Sequence, residues 1–284
     1  MMVVSPWSRG GWVDSQVFDH TSVIRFLEVV TGVHEPNISS WRRDVCGDLT
    51  SALDFTTFDP SVPALPDIDA LVAEADREKS LPPLPPPPPG PRSAPVVERG
   101  TRRHRPLPYQ PNANASADRA SRRVTLSLTT TGRSAQSFAV YSATSTPFTA
   151  IPVLVGPGET ATHTADAAAD GSYELDVYGP NGFLRSFAGT LVAAGNRGAA
   201  VPAVTAVTTA RSLHLHLANQ GHAAITFTLT GTDHTHHRET HHVAPGATVP
   251  VGWPTPDGWY DVTVTADDGS AFAYRYAGRL EPLT

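Results

Sequence analysis

The chain reads as mainly β: a remnant of an α/β layer, a proline-rich linker, then two tandem small β-sandwich domains. Three observations predict this. From residue 122 onward, short runs alternate apolar with polar residues between Gly, Pro and Asp turns, the period-two signature of half-buried strands. The same layout then occurs a second time. Upstream, five consecutive prolines, Pro85 to Pro89, interrupt any regular element. The divisions expected are residues 1–59, 60–121, 122–206 and 207–284.

The opening looks like the end of a layer and not the start of a domain. An apolar run leads into the Gly-Gly loop SPWSRGGW (Ser5 to Trp12), and the amphipathic stretch VIRFLEVV follows. Thr21 and Ser22 are the expected caps, Val23, Phe26, Leu27 and Val30 share one helical face, and Gly32 is a natural stop. Asn37 or Ser39 caps a second short helix through Trp41 to Val45, and Asp48 or Thr50 a third through Leu53. Three short helices bury too little surface to stand alone, so the segment is expected to need a sheet that this sequence does not supply.

Residues 60–121 form the boundary. Ala70 to Lys79 is a short polar helix, and the run Ser80 to Pro91 favours polyproline II, a semi-rigid spacer of about 3.1 Å per residue. A ligand for a proline-recognition domain is the sharper alternative. Glu98 to Ser116 continues as irregular chain, with Arg102, Arg103 and Arg105 as a solvated or docking surface.

The β half repeats itself. Val124, Leu126, Leu128, Phe138 and Val140 align with Leu213, Leu215, Leu217, Phe227 and Leu229 at an offset of 89 residues. DGSYELDV (Asp170 to Val177) matches DGWYDVTV (Asp257 to Val264), and SFAG (Ser186 to Gly189) matches RYAG (Arg275 to Gly278). Short strands at this spacing predict a β-sandwich for each copy.

Composition narrows the partners. A net charge of −6 gives no global attraction to nucleic acid or to anionic lipid. Lysine occurs once, at Lys79, and the single Cys46 excludes an internal disulfide. No apolar run approaches the roughly 18 to 20 residues of a membrane span, and no charged and apolar leader stands at the N-terminus.

Four constellations could carry chemistry. Asp19 and His20 stand at a helix entry, where unpaired N–H groups favour anions; the pair reads either as a catalytic or phosphate-contacting site or as a cap beside a locally packed histidine. Trp7, Arg9 and Trp12 read as a substrate subsite, aromatic faces for a quaternary ammonium and a guanidinium for a phosphate, or as a tight turn sealed by two tryptophans. The run His234 to His242 reads as a surface for zinc, copper or nickel, with a solvated polar loop as the default, and no metal ligand is assigned. Cys46 is expected to be a small buried thiol. Nucleophile-elbow, Walker, dinucleotide and zincin motifs are absent from the sequence.

SPWSRGGW, FDHTSVIRFLE and GVHEPNISSWRRDVCGDLTSALDF (Gly32 to Phe55) resemble the last catalytic-domain segment of bacterial phosphocholine-specific phospholipases C, relatives of acid phosphatases in the alkaline-phosphatase-like group. The proline-rich bridge and the paired β domains fit the same resemblance. It implies hydrolysis of phosphatidylcholine or sphingomyelin by an intact extracellular or envelope enzyme. That enzyme would use a divalent metal and partner phosphocholine lipids or a membrane surface. It also implies that the export signal, nucleophile and Asp-rich metal motif belong to an N-terminal catalytic portion missing here, so this chain alone is expected to be inactive. Two other readings stay open. One is a non-catalytic tandem module for membrane, lipid or protein docking, with Trp253, Trp259 and Tyr260 as candidate contacts, Tyr260 reading alternatively as core because it aligns with Tyr173. The other is a metal-responsive surface protein using the histidine run.

Overall fold

A computed structural model describes residues 1–86, 90, 102–143, 145, 148–191 and 200–281. Most of the five-proline run and residues 91–101 lie outside the described residues, and the spacer reading with them. The chain divides into two compact units, one of residues 1–13 and 52–103, the other of residues 14–51 and 104–284.

The helices follow the sequence with two changes: the cap of the first, and the third, expected through Leu53, which is reduced to a three-residue 3-10 turn. Helix α1 (His20–Thr31) is capped by Asp19, not by Thr21 or Ser22: the Asp19 side chain accepts from Thr21 N, and the Ser22 hydroxyl oxygen accepts from Asp19 N. An aspartate before the first turn satisfies two orphan donors at once, which leaves Thr21 and Ser22 inside the helix. Helix α2 (Ser40–Val45) is capped by Ser39, and Asp48 accepts from Thr50 at a short 3-10 turn, Thr50–Ala52. Helix α3 (Asp69–Glu78) lies in the smaller unit and buries none of its residues. The apolar stripe of α1 is uncovered: Val23, Leu27 and Val30 are all exposed.

Among the described residues, the larger unit is built on fourteen strands in two sets of seven. The first set is β1 (Tyr109–Asp118), β2 (Arg123–Gly132), β3 (Gln136–Ser142), β4 (Ile151–Val155), β5 (Thr160–Asp166), β6 (Ser172–Tyr178) and β7 (Leu184–Thr190). The second is β8 (Pro202–Thr208), β9 (Leu213–Asn219), β10 (Ile225–Gly231), β11 (Arg238–Val243), β12 (Thr248–Trp253), β13 (Trp259–Ala266) and β14 (Ala273–Arg279). Each set makes a three-stranded sheet, β1-β2-β5 or β8-β9-β12, facing four strands of a larger sheet.

The larger sheet is shared. Its order is β11-β10-β13-β14-β7-β6-β3-β4, so the last strand of each copy pairs antiparallel with the last strand of the other. Ser186 pairs with Arg275, its own repeat equivalent at the offset of 89, which places a pseudo-two-fold axis through that pair. On the opposite layer Asn114 reaches across from β1, donating to Ala206 O at 3.1 Å and accepting from Ala206 N at 2.7 Å. One hydrophobic cluster therefore runs through both copies, from Val124, Leu126 and Phe138 to Leu215, Phe227 and Val262. Each fully buried Leu or Phe contributes about 1.5–3 kcal/mol.

Strand β1 was not expected. Its segment reads as irregular because its inward residues after Tyr109 are Pro111, Ala113 and Ala115, none of them β-branched. Full ten-residue pairing with β2, from Tyr109 opposite Gly132 to Asp118 opposite Arg123, overrides the weak local preference.

The repeated Tyr and Gly motifs are explained by cross-strand packing. Tyr173 faces Gly189 in the first copy, and Tyr260 faces Gly278 in the second. A Cβ on either glycine would lie 2.8 or 2.9 Å from the tyrosine Oη, so each ring lies over bare backbone. Tyr260 and Trp253 are thus core residues, 0% and 3% exposed. Trp259 is covered by His234, stacked at 5.4 Å, and by the Arg279 guanidinium at 5.8 Å. None of the three is a free contact surface: Tyr260 and Trp253 point inward on their strands, and neighbouring side chains cover Trp259.

Candidate functional site

Asp19 is held by its surroundings. One carboxylate oxygen accepts from Thr21 N at 2.8 Å and Thr21 Oγ1 at 2.6 Å, and the other pairs with Arg42. Burial pushes the Asp19 carboxyl up, but the bonds from Thr21 and Arg42 outweigh it and hold the group below its ordinary range. His20, the first residue of α1, is exposed.

A second acidic group sits behind this cap. Glu28 is bridged by Arg43 through both guanidinium nitrogens, at 3.0 and 2.9 Å, and accepts from Glu35 N. The Arg43 hydrogen bonds pull the Glu28 carboxyl down to about 2. Cys46 is buried beside Asp19, and burial first, then that carboxylate, pushes its thiol up, so it is a poor nucleophile.

Between this helical segment and the start of the first β copy lies a cleft of about 340 Å³. Arg25, Arg43 and Arg133 line it together with Asp44, Asp48, Cys46 and Ser51. Arg25 donates to the carbonyls of Arg43 and Cys46, and the Ser51 hydroxyl donates to Asp14 at 2.7 Å. Such a cleft can hold a polar or anionic group but offers no activated nucleophile. It was invisible in the sequence, because it forms between segments far apart in the chain, Gln16 to Ser51 and Pro106 to Ser134.

Trp7, Arg9 and Trp12 belong to the smaller unit, and Asp19 and His20 to the larger. Trp7 packs on Phe58 at 5.2 Å and Phe55 at 5.9 Å. Arg9 pairs with Asp59 at 3.3 Å and bonds Ser61. The Arg103 guanidinium lies 5.6 Å from the Trp12 ring. Trp7 and Trp12 keep 37% of their surface exposed, while the Arg9 charge already has a partner.

The histidine run is anchored by aromatic and acidic neighbours. His237 packs on Trp253 at 5.2 Å, and His237 and His241 flank Glu239 at 3.6 and 3.4 Å. Among the described residues no three His, Cys, Asp or Glu side chains converge as a metal site. Since Asp19 already has Thr21 and Arg42 on its two oxygens, the residues described do not fit a metal centre.

Comparison with known proteins identifies these elements. Residues 103–190 and 197–279 match, as two successive copies, the family described as bacterial phospholipase C, C-terminal domain. Residues 1–34 match the phosphoesterase family. A non-hemolytic phospholipase C of Pseudomonas aeruginosa is 38% identical over 292 residues, covering 99% of this chain and 41% of the relative. A non-hemolytic phospholipase C of Burkholderia pseudomallei is 35% identical, over 99% of this chain and 41% of its own length. A hemolytic phospholipase C of Pseudomonas aeruginosa is 35% identical, over 99% and 43%. The chain thus spans about two-fifths of the length of these relatives. It belongs to the bacterial phospholipase C family and corresponds to that family's C-terminal portion, with its C-terminal domain present in two copies.

Proposed function

We propose that the whole protein hydrolyses phosphatidylcholine or sphingomyelin to phosphocholine and a lipid alcohol, outside the cell or in its envelope. This chain supplies the C-terminal β module and the last segment of the phosphoesterase part. The observation that carries the reading is the near-complete alignment with proteins named phospholipase C, in which this chain accounts for only the C-terminal two-fifths. On this reading Asp19 and His20 are candidate catalytic residues and, separately, Trp7, Arg9 and Trp12 are candidate substrate contacts, with the nucleophile and metal supplied by the N-terminal portion.

The chain alone is then inactive. Support comes from the occupied state of its polar groups: Asp19 is bonded to Thr21 and Arg42, Arg9 is paired with Asp59, and Cys46 is buried. The test is an assay of the purified chain on a chromogenic choline phosphodiester, with and without the N-terminal part of a relative co-expressed. No turnover alone and turnover on reconstitution are expected. Turnover by the chain by itself overturns the reading. An open frame encoding the catalytic motifs directly upstream in the genome would support it independently. A second reading, a docking module, is favoured by the outward face of the first β copy.

A further inference from the structure

The internal repeat is a built-in control for what an outward sheet position requires. On the solvent face of the shared sheet, the second copy carries threonine at Thr228 and Thr230 of β10 and at Thr263 and Thr265 of β13. The equivalent positions of the first copy are Ala139, Tyr141, Asp176 and Tyr178, and the cross-strand pairs correspond: Ala139 faces Tyr178 as Thr228 faces Thr265. The fold is therefore content with small polar side chains at these sites. The first copy instead builds an aromatic cluster there. Tyr141 stacks on Phe148 at 5.3 Å and meets Tyr178 edge-on at 5.7 Å. Phe148 is 65% exposed and Tyr178 46%, and further along the same outward face Leu154 of β4, the end strand of the sheet, opposite Ser137, is 42% exposed. Clustered rings left in water at positions where threonine suffices indicate a contact surface.

We propose that Tyr141, Phe148, Tyr178 and Leu154 form a docking face that seats the β module on a zwitterionic phospholipid surface. The proposal rests on the phospholipase reading above and gives its second half a role. Charge selects the occupant. Strands β3, β4 and β6 carry neither lysine nor arginine, and their two charged residues, Glu174 and Asp176, are both acidic and on the outward side of β6. Carboxylates beside rings repel an anionic lipid surface. They suit the positive outer end of a zwitterionic headgroup, whose ammonium is also attracted to aromatic faces. Tyrosine presents an apolar body with a polar tip, the chemistry favoured at headgroup depth.

The test is co-sedimentation of the full chain with phosphatidylcholine vesicles and with mixed phosphatidylcholine–phosphatidylglycerol vesicles. It is repeated for the triple variant Tyr141→Thr/Phe148→Ser/Tyr178→Thr, which borrows the second copy's own solution at two of its three positions. A thermal melt by circular dichroism shows whether that variant stays folded, and Thr230→Ala/Thr265→Ala serves as the control on the other copy. The expected result is pelleting with phosphatidylcholine, weaker pelleting with phosphatidylglycerol present, and a partition coefficient roughly tenfold or more lower in the folded triple variant only. Failure of the folded wild type to pellet, equal pelleting by the triple variant, or stronger binding to the anionic vesicles each overturns the proposal. A wild-type dimer that the triple variant abolishes, without vesicle binding, assigns the face to a second copy instead. Reconstituted hydrolysis of a soluble phosphodiester without pelleting removes this face alone; pelleting without any reconstituted hydrolysis keeps the face and removes the phospholipase reading.

Discussion

Arg185 donates to the hydroxyl of Tyr260 at 2.9 Å, a bond from one β copy to the other. Its counterpart by the repeat is the hydrogen bond shared by Tyr274 and Tyr173 at 3.1 Å, since Tyr274 follows Arg185 by the same 89 residues. The junction is thus two-fold in backbone but asymmetric in side chain. Arg185 is fully buried. Its other partners among the described residues are the carbonyls of Leu184 and Ala277 and the Asn112 side chain, and it packs against the rings of Phe183, Tyr260 and Tyr276. A cation held by dipoles and aromatic faces, without a carboxylate, depends on every one of those contacts.

Replacing Arg185 therefore unlinks the copies. Arg185→Ala removes the bonds to Tyr260 and Asn112 and opens a void, and is expected to lower stability by about 2–4 kcal/mol. Urea unfolding followed by circular dichroism measures the loss. A change below about 1 kcal/mol would mean that the buried cation is a burden the fold tolerates and not a clamp.

The close approach at Gly132 is a separate point of rigidity. Its φ is +119°, and a Cβ there would stand 2.2 Å from the carbonyl oxygen of Pro108, where the chain enters β1. Backbone cannot swing aside as a side-chain tip can. Gly132→Ala is expected to cost at least about 3 kcal/mol, read from the unfolding midpoint or, if the chain fails to fold, from its soluble yield.

How far the sequence spoke for the fold follows from these positions. The inward residues Val124, Leu126, Leu128 and their partners Leu213, Leu215 and Leu217 were legible because alternation records burial, and all six are fully buried. The repeat offset was legible too, but the β7–β14 pairing was not, because an edge strand carries no mark of its partner. Strand β1 hid behind alanine and asparagine. For the candidate site, the Asp19 cap was readable from its helix-entry position, whereas Arg42, 23 residues away, and the arginine-lined cleft depend on tertiary approach. Trp253 misled because an aromatic residue near a turn looks like surface, whereas the alignment of Tyr260 with Tyr173 already allowed a core place, which Tyr260 occupies opposite Gly278.

Acid should act first on the helical segment. The folded Glu28 carboxyl is held at about 2, below the ordinary 4.5, so its bond to Arg43 stabilises fully above pH 4.5 and is lost as pH falls toward 2. Asp19 is shifted the same way. Glu281, pushed up by burial, has the opposite sign: the folded state holds its proton more tightly. In the β module it is set against Asp261, where burial is outweighed by the bonds from Arg275 and the carboxyl is held down as Glu28 is. The helix signal in circular dichroism is expected to fade over that interval before the β signal does. Glu28→Gln should flatten the helix titration, and an unaltered profile in that variant would exclude the Glu28–Arg43 pair as its source.

Asp19 and His20 can be separated by experiment because the structure gives them different surroundings. The carboxylate is engaged by Thr21 and Arg42, whereas the imidazole is exposed. Asp19→Ala is expected to lower stability by about 1 kcal/mol, with Asp19→Asn recovering most of it, because the cap bond needs only an oxygen acceptor. His20→Ala should leave stability within about 0.5 kcal/mol. In the enzyme reconstituted with its N-terminal portion, a catalytic His20 would show as a fall in kcat of about a hundredfold at unchanged melting temperature, together with loss of one limb of the pH–rate profile. If instead kcat holds in His20→Ala and falls in the Asp19 variants only as far as their stability does, the helix entry is scaffold, and the groups that act on phosphate lie wholly in the other part of the protein.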